Sequence, residues 1–182
     1  MPHITKNRNI GAALPAKKRP TRIIENRLWV IAGILLLIPG VLIYLAERDP
    51  AAIYFTRWLG IEQQLFGPGF ALPASMGDVL PAFFHVLGFS LITAAFTTGT
   101  RRQCALICFG WFAINAILEL GQKYKETAVQ ITPAFFDHLP FLESTRAFFQ
   151  KGTFDVLDIA AAGAGAAVAF LMMRLTAKNS RR

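Results

Sequence analysis

Charge is what this chain has least of: Asp, Glu, Lys and Arg make up 16% of its 182 residues, against 54% hydrophobic. Soluble domains average about 25% charged and about 45–50% apolar. A water-soluble core of this size could not hide so much apolar surface. Cysteine is scarce too, and two residues cannot frame a disulfide scaffold. Intrinsic disorder is excluded, because disordered chains lack the apolar residues abundant here. No internal repeat is present, and no low-complexity tract beyond the small-residue run 160–167. The class that remains is an integral membrane protein, and the expected fold is all-α, a polytopic bundle of four transmembrane helices.

The net charge of +8 comes from 19 Lys and Arg against 11 Asp and Glu. A basic excess is the electrostatic footprint of nucleic-acid binding, but its placement argues for topology instead. Lys6, Arg8, Lys17, Lys18, Arg19, Arg22 and Arg27 all precede the first apolar run, opposed only by Glu25. No recognition-helix pattern or RNA-binding aromatic signature accompanies them. No nucleic-acid partner is expected.

Four apolar runs follow. The first, 28–46, is uncharged and close to the roughly 20 residues that cross about 30 Å of hydrocarbon. It exceeds a signal-peptide core and lacks an A-x-A-like cleavage site, so it reads as an uncleaved anchor, kinked at Pro39-Gly40. The second, 79–100, holds His85 as its only ionisable group. The third and fourth, 103–118 and 159–173, are short for a span and must be lengthened to about 103–121 and 156–173, drawing Glu119 and Asp158 towards the hydrocarbon. Residues 1–27 form a basic N-terminal segment, 28–176 a single membrane domain, and 177–182 a basic tail. With both termini cytoplasmic, 13 Lys and Arg lie inside and six outside, as the positive-inside rule requires.

The outer connections are then 47–78 and 122–155. Tyr54, Trp58, Ile61 and Leu65 share one helical face, so 47–78 is expected to carry an amphipathic interfacial helix. Residues 123–152 bring Phe135-Phe136, Phe141 and Phe148-Phe149 around Pro133 and Pro140, and read as a loop on the membrane surface. Ordinary packing across the end of the bundle is the competing reading for both.

Ionisable groups within spans are expensive and mark functional sites by default. His85 lies 16 residues from Arg101, Glu119 17 from Arg102, and Asp158 16 from Arg174. At about 1.5 Å per residue, all three fall roughly 24–25 Å from the cytoplasmic side, at one level. Asp78 is two turns outward of His85 on the same face, while Gln122 and Asp155 are each three residues from Glu119 and Asp158. His85 and Glu119 are the candidate proton-transfer pair, with Asp158 orienting or stabilising charge. Asp78, Gln122 and Asp155 are candidate binding residues. The competing readings are helix-end charges, above all for Asp155, and an interhelical hydrogen bond for His85. His and carboxylates without a compact ligand motif give no metal site, and no cofactor is expected. Cys104 and Cys108 read as packing residues. The small-xxx-small faces of 160–167 let helices approach closely, so the fourth span is expected at the centre.

These motifs resemble the VanZ-like membrane proteins. The likeness rests on Asp78-Val-Leu-Pro-Ala-Phe-Phe-His85, on Glu119-Leu-Gly-Gln122, and on Phe154-Asp155-Val-Leu-Asp158 with Gly163 and Gly165 after it, spanning 78–170. Ala162 stands where that family has an Asn, and the basic residue usual beside Asp78 is absent. The resemblance implies a multi-span bacterial inner-membrane protein, in some members linked to teicoplanin resistance. The expected function is a cell-envelope protein with a His and carboxylate site near the outer leaflet, which binds or acts on a lipid, lipid-linked or amphiphilic ligand. Membrane lipids and a lipid-linked envelope precursor are the expected partners. The alternative is a structural or interaction protein whose polar residues lock the bundle. A transporter ranks third, since no broken-helix pair or inverted repeat is visible.

Overall fold

A computed structural model describes residues 20–47, 74–97, 99–140 and 142–179. All regular structure among them is helical. Four long helices, α1 (Pro20–Glu47), α2 (Ala74–Ala95), α3 (Arg101–Lys123) and α6 (Val156–Asn179), pack side by side. Between α3 and α6 the chain forms α4 (Lys125–Ile131), a 3₁₀ turn (Ala134–His138) and α5 (Thr145–Lys151). The amphipathic segment read at Tyr54–Leu65 lies outside the described residues, as do Lys6, Arg8, Lys17, Lys18 and Arg19.

Three stretches are long and apolar enough to cross a membrane: Asn26–Ile43, Arg101–Lys123 and Val156–Thr176, with Val79–Ala95 a shorter apolar helix. This reverses the order of lengths that hydropathy alone suggests. The third and fourth helices run straight through Glu119 and Asp158, and the second is cut short. Its C-terminal residues, counted above as part of a run to Thr100, form a turn. Thr97 Oγ1 donates to the Ala94 carbonyl at 2.9 Å, and Gly99 takes φ +68°, where an L side chain is strained. Thr100 then caps α3. Its hydroxyl accepts the Gln103 N–H at 3.3 Å while Gln103 Oε1 accepts the Thr100 N–H at 3.2 Å, a reciprocal capping box.

The helices pack as lipid-embedded helices do, with large apolar side chains outward and small ones between. Leu28, Leu35, Phe109, Ile117, Leu171 and Leu175 are all more than half exposed. Without a hydrophobic drive between helices in lipid, association depends on close van der Waals contact at small residues. The α1–α2 crossing is made by Gly33 against Gly88: a Cβ on Gly33 would sit 2.7 Å from the Gly88 carbonyl oxygen. The α2–α6 crossing is made by Gly165, where a Cβ would sit 2.5 Å from the Phe83 carbonyl oxygen. α2 therefore contacts all three other long helices, whereas α6 packs on α2 and α3. The central position expected for the fourth span belongs to the second. The small-residue run on α6 gives that helix close approach on one side, but α2 offers bare backbone on two.

Leu87, Leu91 and Ala94 of α2, Cys104 and Cys108 of α3, and Ala169 and Met173 of α6 form a buried cluster near the α2–α3 turn. Both cysteines are free thiols within it. At the other end, the segment read as a surface loop is largely helical and folds back as a cap. The Phe149 ring of α5 occupies the space left by Gly121 of α3, and Phe149 is buried. Arg146 Nη2 donates to the Thr132 carbonyl at 3.0 Å, and Lys125 Nζ donates to the Gln150 carbonyl at 3.2 Å. These bonds hold α5 against both ends of α4, Thr132 closing its C-terminus and Lys125 beginning it.

Candidate functional site

The polar residues cluster at the cap end, around Glu119. Glu119 and Gln122 lie three apart in α3 and so share a face. Gln122 is buried, and its Nε2 donates to Glu119 Oε1 at 3.5 Å. The other carboxylate oxygen, Glu119 Oε2, accepts the backbone N–H of Asp155 at 3.3 Å. Asp155 immediately precedes α6, and its Oδ1 accepts the Leu157 N–H at 2.8 Å. That is the work of a helix N-cap, and it engages the Asp155 side chain locally. Two carboxylates thus gather where the unpaired N–H groups and the positive end of the α6 dipole favour them. Asp158 follows in the first turn of α6, half-buried.

α3 and α6 run antiparallel, with Glu119 beside Asp155 and Phe112 beside Gly163. Asp158 consequently lies within about one turn of Glu119 in height. The structure brings Glu119, Gln122, Asp155 and Asp158 to one end.

His85 stands elsewhere. Gly165 of α6 abuts the backbone of Phe83 and Leu87, which sets His85 level with Gly165. That is seven residues, or about 10 Å, along the helix from Asp158. The α2–α3 contact says the same, since the His85 ring is 6.2 Å from that of Trp111, two turns from Glu119. The single level inferred from the sequence is thereby corrected to two. The count from Arg101 treated the residues after Ala95 as helix, whereas α2 ends there and Phe96 and Thr97 turn.

Around His85 the structure builds an aromatic cluster. Its ring lies 4.7 Å from Phe89, which stacks on Trp111 at 4.7 Å and 22°. Trp111 is fixed by a hydrogen bond from its Nε1 to Thr93 Oγ1 at 3.0 Å. One turn along, Asn115 Nδ2 donates to the Trp111 carbonyl at 3.0 Å. Trp111, Asn115 and Glu119 are spaced by four residues, so one face of α3 carries polar groups from the aromatic cluster to the carboxylates. The His85 side chain is exposed on the flank shared by α2 and α3. Asp78 lies in α2, and its side chain is outside the described set.

Trp111, Thr93 and Asn115 did not stand out in the sequence. A signal existed for two of them. Trp belongs to membrane interfaces, so one deep in a span implies a polar partner for its N–H, and a lone Asn in an apolar run implies an internal hydrogen bond.

Among the described residues, no group of three His, Cys, Asp or Glu is placed to hold a metal ion. A shallow open groove of about 320 Å³ lies between α4 and α5, lined by Lys125, Glu126, Val129, Gln130 and Gln150. It sits on the cap, not over Glu119. The arrangement at Glu119 can accept hydrogen bonds and balance positive charge. Direct proton transfer needs heavy atoms within about 3.2 Å, and two helical turns separate His85 from Glu119. No family model matches the chain, and no curated protein or solved structure matches it.

Proposed function

We propose that this chain is a four-span protein of the bacterial inner membrane, VanZ-like, with both termini in the cytoplasm and its cap at the outer face. Its Glu119-centred cluster binds the polar part of a lipid, lipid-linked or amphiphilic ligand. The supporting observation is the gathering of Glu119, Gln122, Asp155 and Asp158 at one end of helices whose outer surface is otherwise apolar. Charge in such surroundings is costly unless paired or used. The length of α2 supports the span assignment, because its 22 residues reach about 33 Å although its apolar part is the shorter stretch Val79–Ala95. The basic residues at both ends of the chain support the orientation. In this reading Glu119 and Asp158 meet the ligand's polar group, and His85 with Phe89 and Trp111 meets its deeper portion along the α2–α3 flank.

Glu119→Gln, Asp158→Asn and His85→Ala, each measured for membrane abundance and for sensitivity to glycopeptide and other envelope antibiotics, test the proposal. A specific sensitivity change at normal abundance is expected for the two carboxylates. Wild-type behaviour of all three variants at normal abundance refutes it.

A second reading is favoured by one observation: Glu119 ties α3 to the start of α6 through the Asp155 N–H. If that tie is the cluster's whole purpose, Glu119→Gln lowers abundance and changes nothing else. Native mass spectrometry of the protein extracted with its lipids separates the readings, because a purely structural lock retains no ligand.

A further inference from the structure

Glu119 is held by a side chain that is itself held by the cap. Gln122, the donor to Glu119 Oε1, is 6% exposed. Its amide is pressed from the other side by Gly152, at the end of α5. A Cβ on Gly152 would lie 2.5 Å from both Cδ and Oε1 of Gln122. Gly152 has φ −65° and ψ 156°, a conformation open to any residue, so its lack of a side chain matters for space and not for backbone freedom. One residue before Gln122, Gly121 receives the Phe149 ring of the same short helix. The cap is therefore seated on the last turns of α3 at two glycines, and one of these seats is the amide that reaches Glu119.

We infer that Gln122 and Gly152 are positioning residues for Glu119: the α5 cap, seated on α3, fixes the Gln122 amide against the carboxylate and so sets where Glu119 points. This rests on the reading of Glu119 as a ligand-binding group, but its test does not. A side chain at position 152 must push the buried amide aside, which removes the Gln122 donor from Oε1 while the Asp155 N–H still holds Oε2.

The experiment measures the rate at which dicyclohexylcarbodiimide modifies Glu119 in the full-length protein in dodecylmaltoside micelles, located by peptide mass mapping. Maleimide labelling of Cys104 and Cys108, in the opposite half of the protein, reports any general loosening. Gly152→Ala and Gln122→Ala are each expected to raise the Glu119 rate about fivefold, the factor that corresponds to one hydrogen bond's net contribution. Cysteine labelling should stay at the wild-type rate. Because Gly152 acts through Gln122, adding Gly152→Ala to Gln122→Ala should change the Glu119 rate no further, which is the signature of coupling in a double-mutant cycle. Equal effects of Gly152→Ala in both backgrounds, or accelerated cysteine labelling in step with Glu119, overturn the inference. If Gly152→Ala does not accumulate in membranes, Gln122→Ala decides alone, and a wild-type Glu119 rate overturns it. A cycle that behaves as expected in a protein retaining no lipid would leave the positioning role standing and remove the ligand-binding reading.

Discussion

The contact between α2 and α6 gives the sharpest stability test. Replacing Gly165 with Ala puts a methyl carbon 2.5 Å from the Phe83 carbonyl oxygen and 3.3 Å from the Leu87 nitrogen, where ordinary contact begins at 3.4 Å. Both obstacles are backbone, so no side-chain rotation relieves them. The helices must move apart by about 0.9 Å, and a gap of that size forfeits up to about half of each pairwise dispersion well along the seam. Buried Leu87 and Ala94 of α2 and Ala162 and Ala169 of α6 are the residues exposed to that loss. Overpacking of this kind costs about 1–3 kcal/mol, against about 1 kcal/mol gained from replacing Gly within a helix. The expected net loss is up to about 2 kcal/mol. Gly110 of α3 provides the control, because a Cβ there meets nothing within 4 Å; Gly110→Ala should gain stability by up to about 1 kcal/mol. SDS titration of the detergent-solubilised protein, followed by tryptophan fluorescence and circular dichroism, reads both. The two substitutions should shift the midpoint in opposite directions. A Gly165→Ala protein as stable as Gly110→Ala would show that α6 does not meet α2 at this glycine, and the level assigned to His85 would fall with it.

Three further outcomes are expected. Trp111→Phe keeps the stack on Phe89 but loses the bond to Thr93, and should cost about 0.6–1.7 kcal/mol, the range for hydrogen bonds between membrane helices. Thr93→Val in the Trp111→Phe background should then cost markedly less than in the wild type, measured by the same SDS titration. Gly99→Ala should destabilise by about 1–2 kcal/mol, because its φ of +68° strains an L side chain although the space around it is open; a neutral result would mean the α2–α3 turn is not left-handed there. Arg146→Ala frees the Thr132 carbonyl and the Asp137 carboxylate at 3.5 Å. Since Arg146 is 37% exposed and the ion pair is correspondingly weak, global stability should hardly change, while limited proteolysis within 132–145 should accelerate.

How much of this was readable in advance depends on the range of the interaction. The composition establishes a membrane protein, because no soluble core could absorb so much apolar surface. The spacing of Glu119 and Gln122 places them on one helical face, and Thr100 followed by Gln103 spells a capping box, since both relations are settled within a single turn of backbone. The end of α2 was written locally too, in Thr-Thr-Gly-Thr, but a hydropathy run does not register a turn made of residues that lipid tolerates.

Tertiary structure alone decided the rest. Helical period says which residues share a face, and nothing about how far one helix slides along another. That slide is fixed where Gly33 meets Gly88 and Gly165 meets the Phe83 carbonyl, contacts in which the absence of a side chain on one helix is matched to bare backbone on its neighbour. Those contacts set His85 two turns from Asp158 and make α2 the common neighbour, while the seating of the Phe149 ring on Gly121 accompanies that of Gly152 on Gln122. A glycine in a sequence announces that something can come close; the folded chain alone says what does, and at what height.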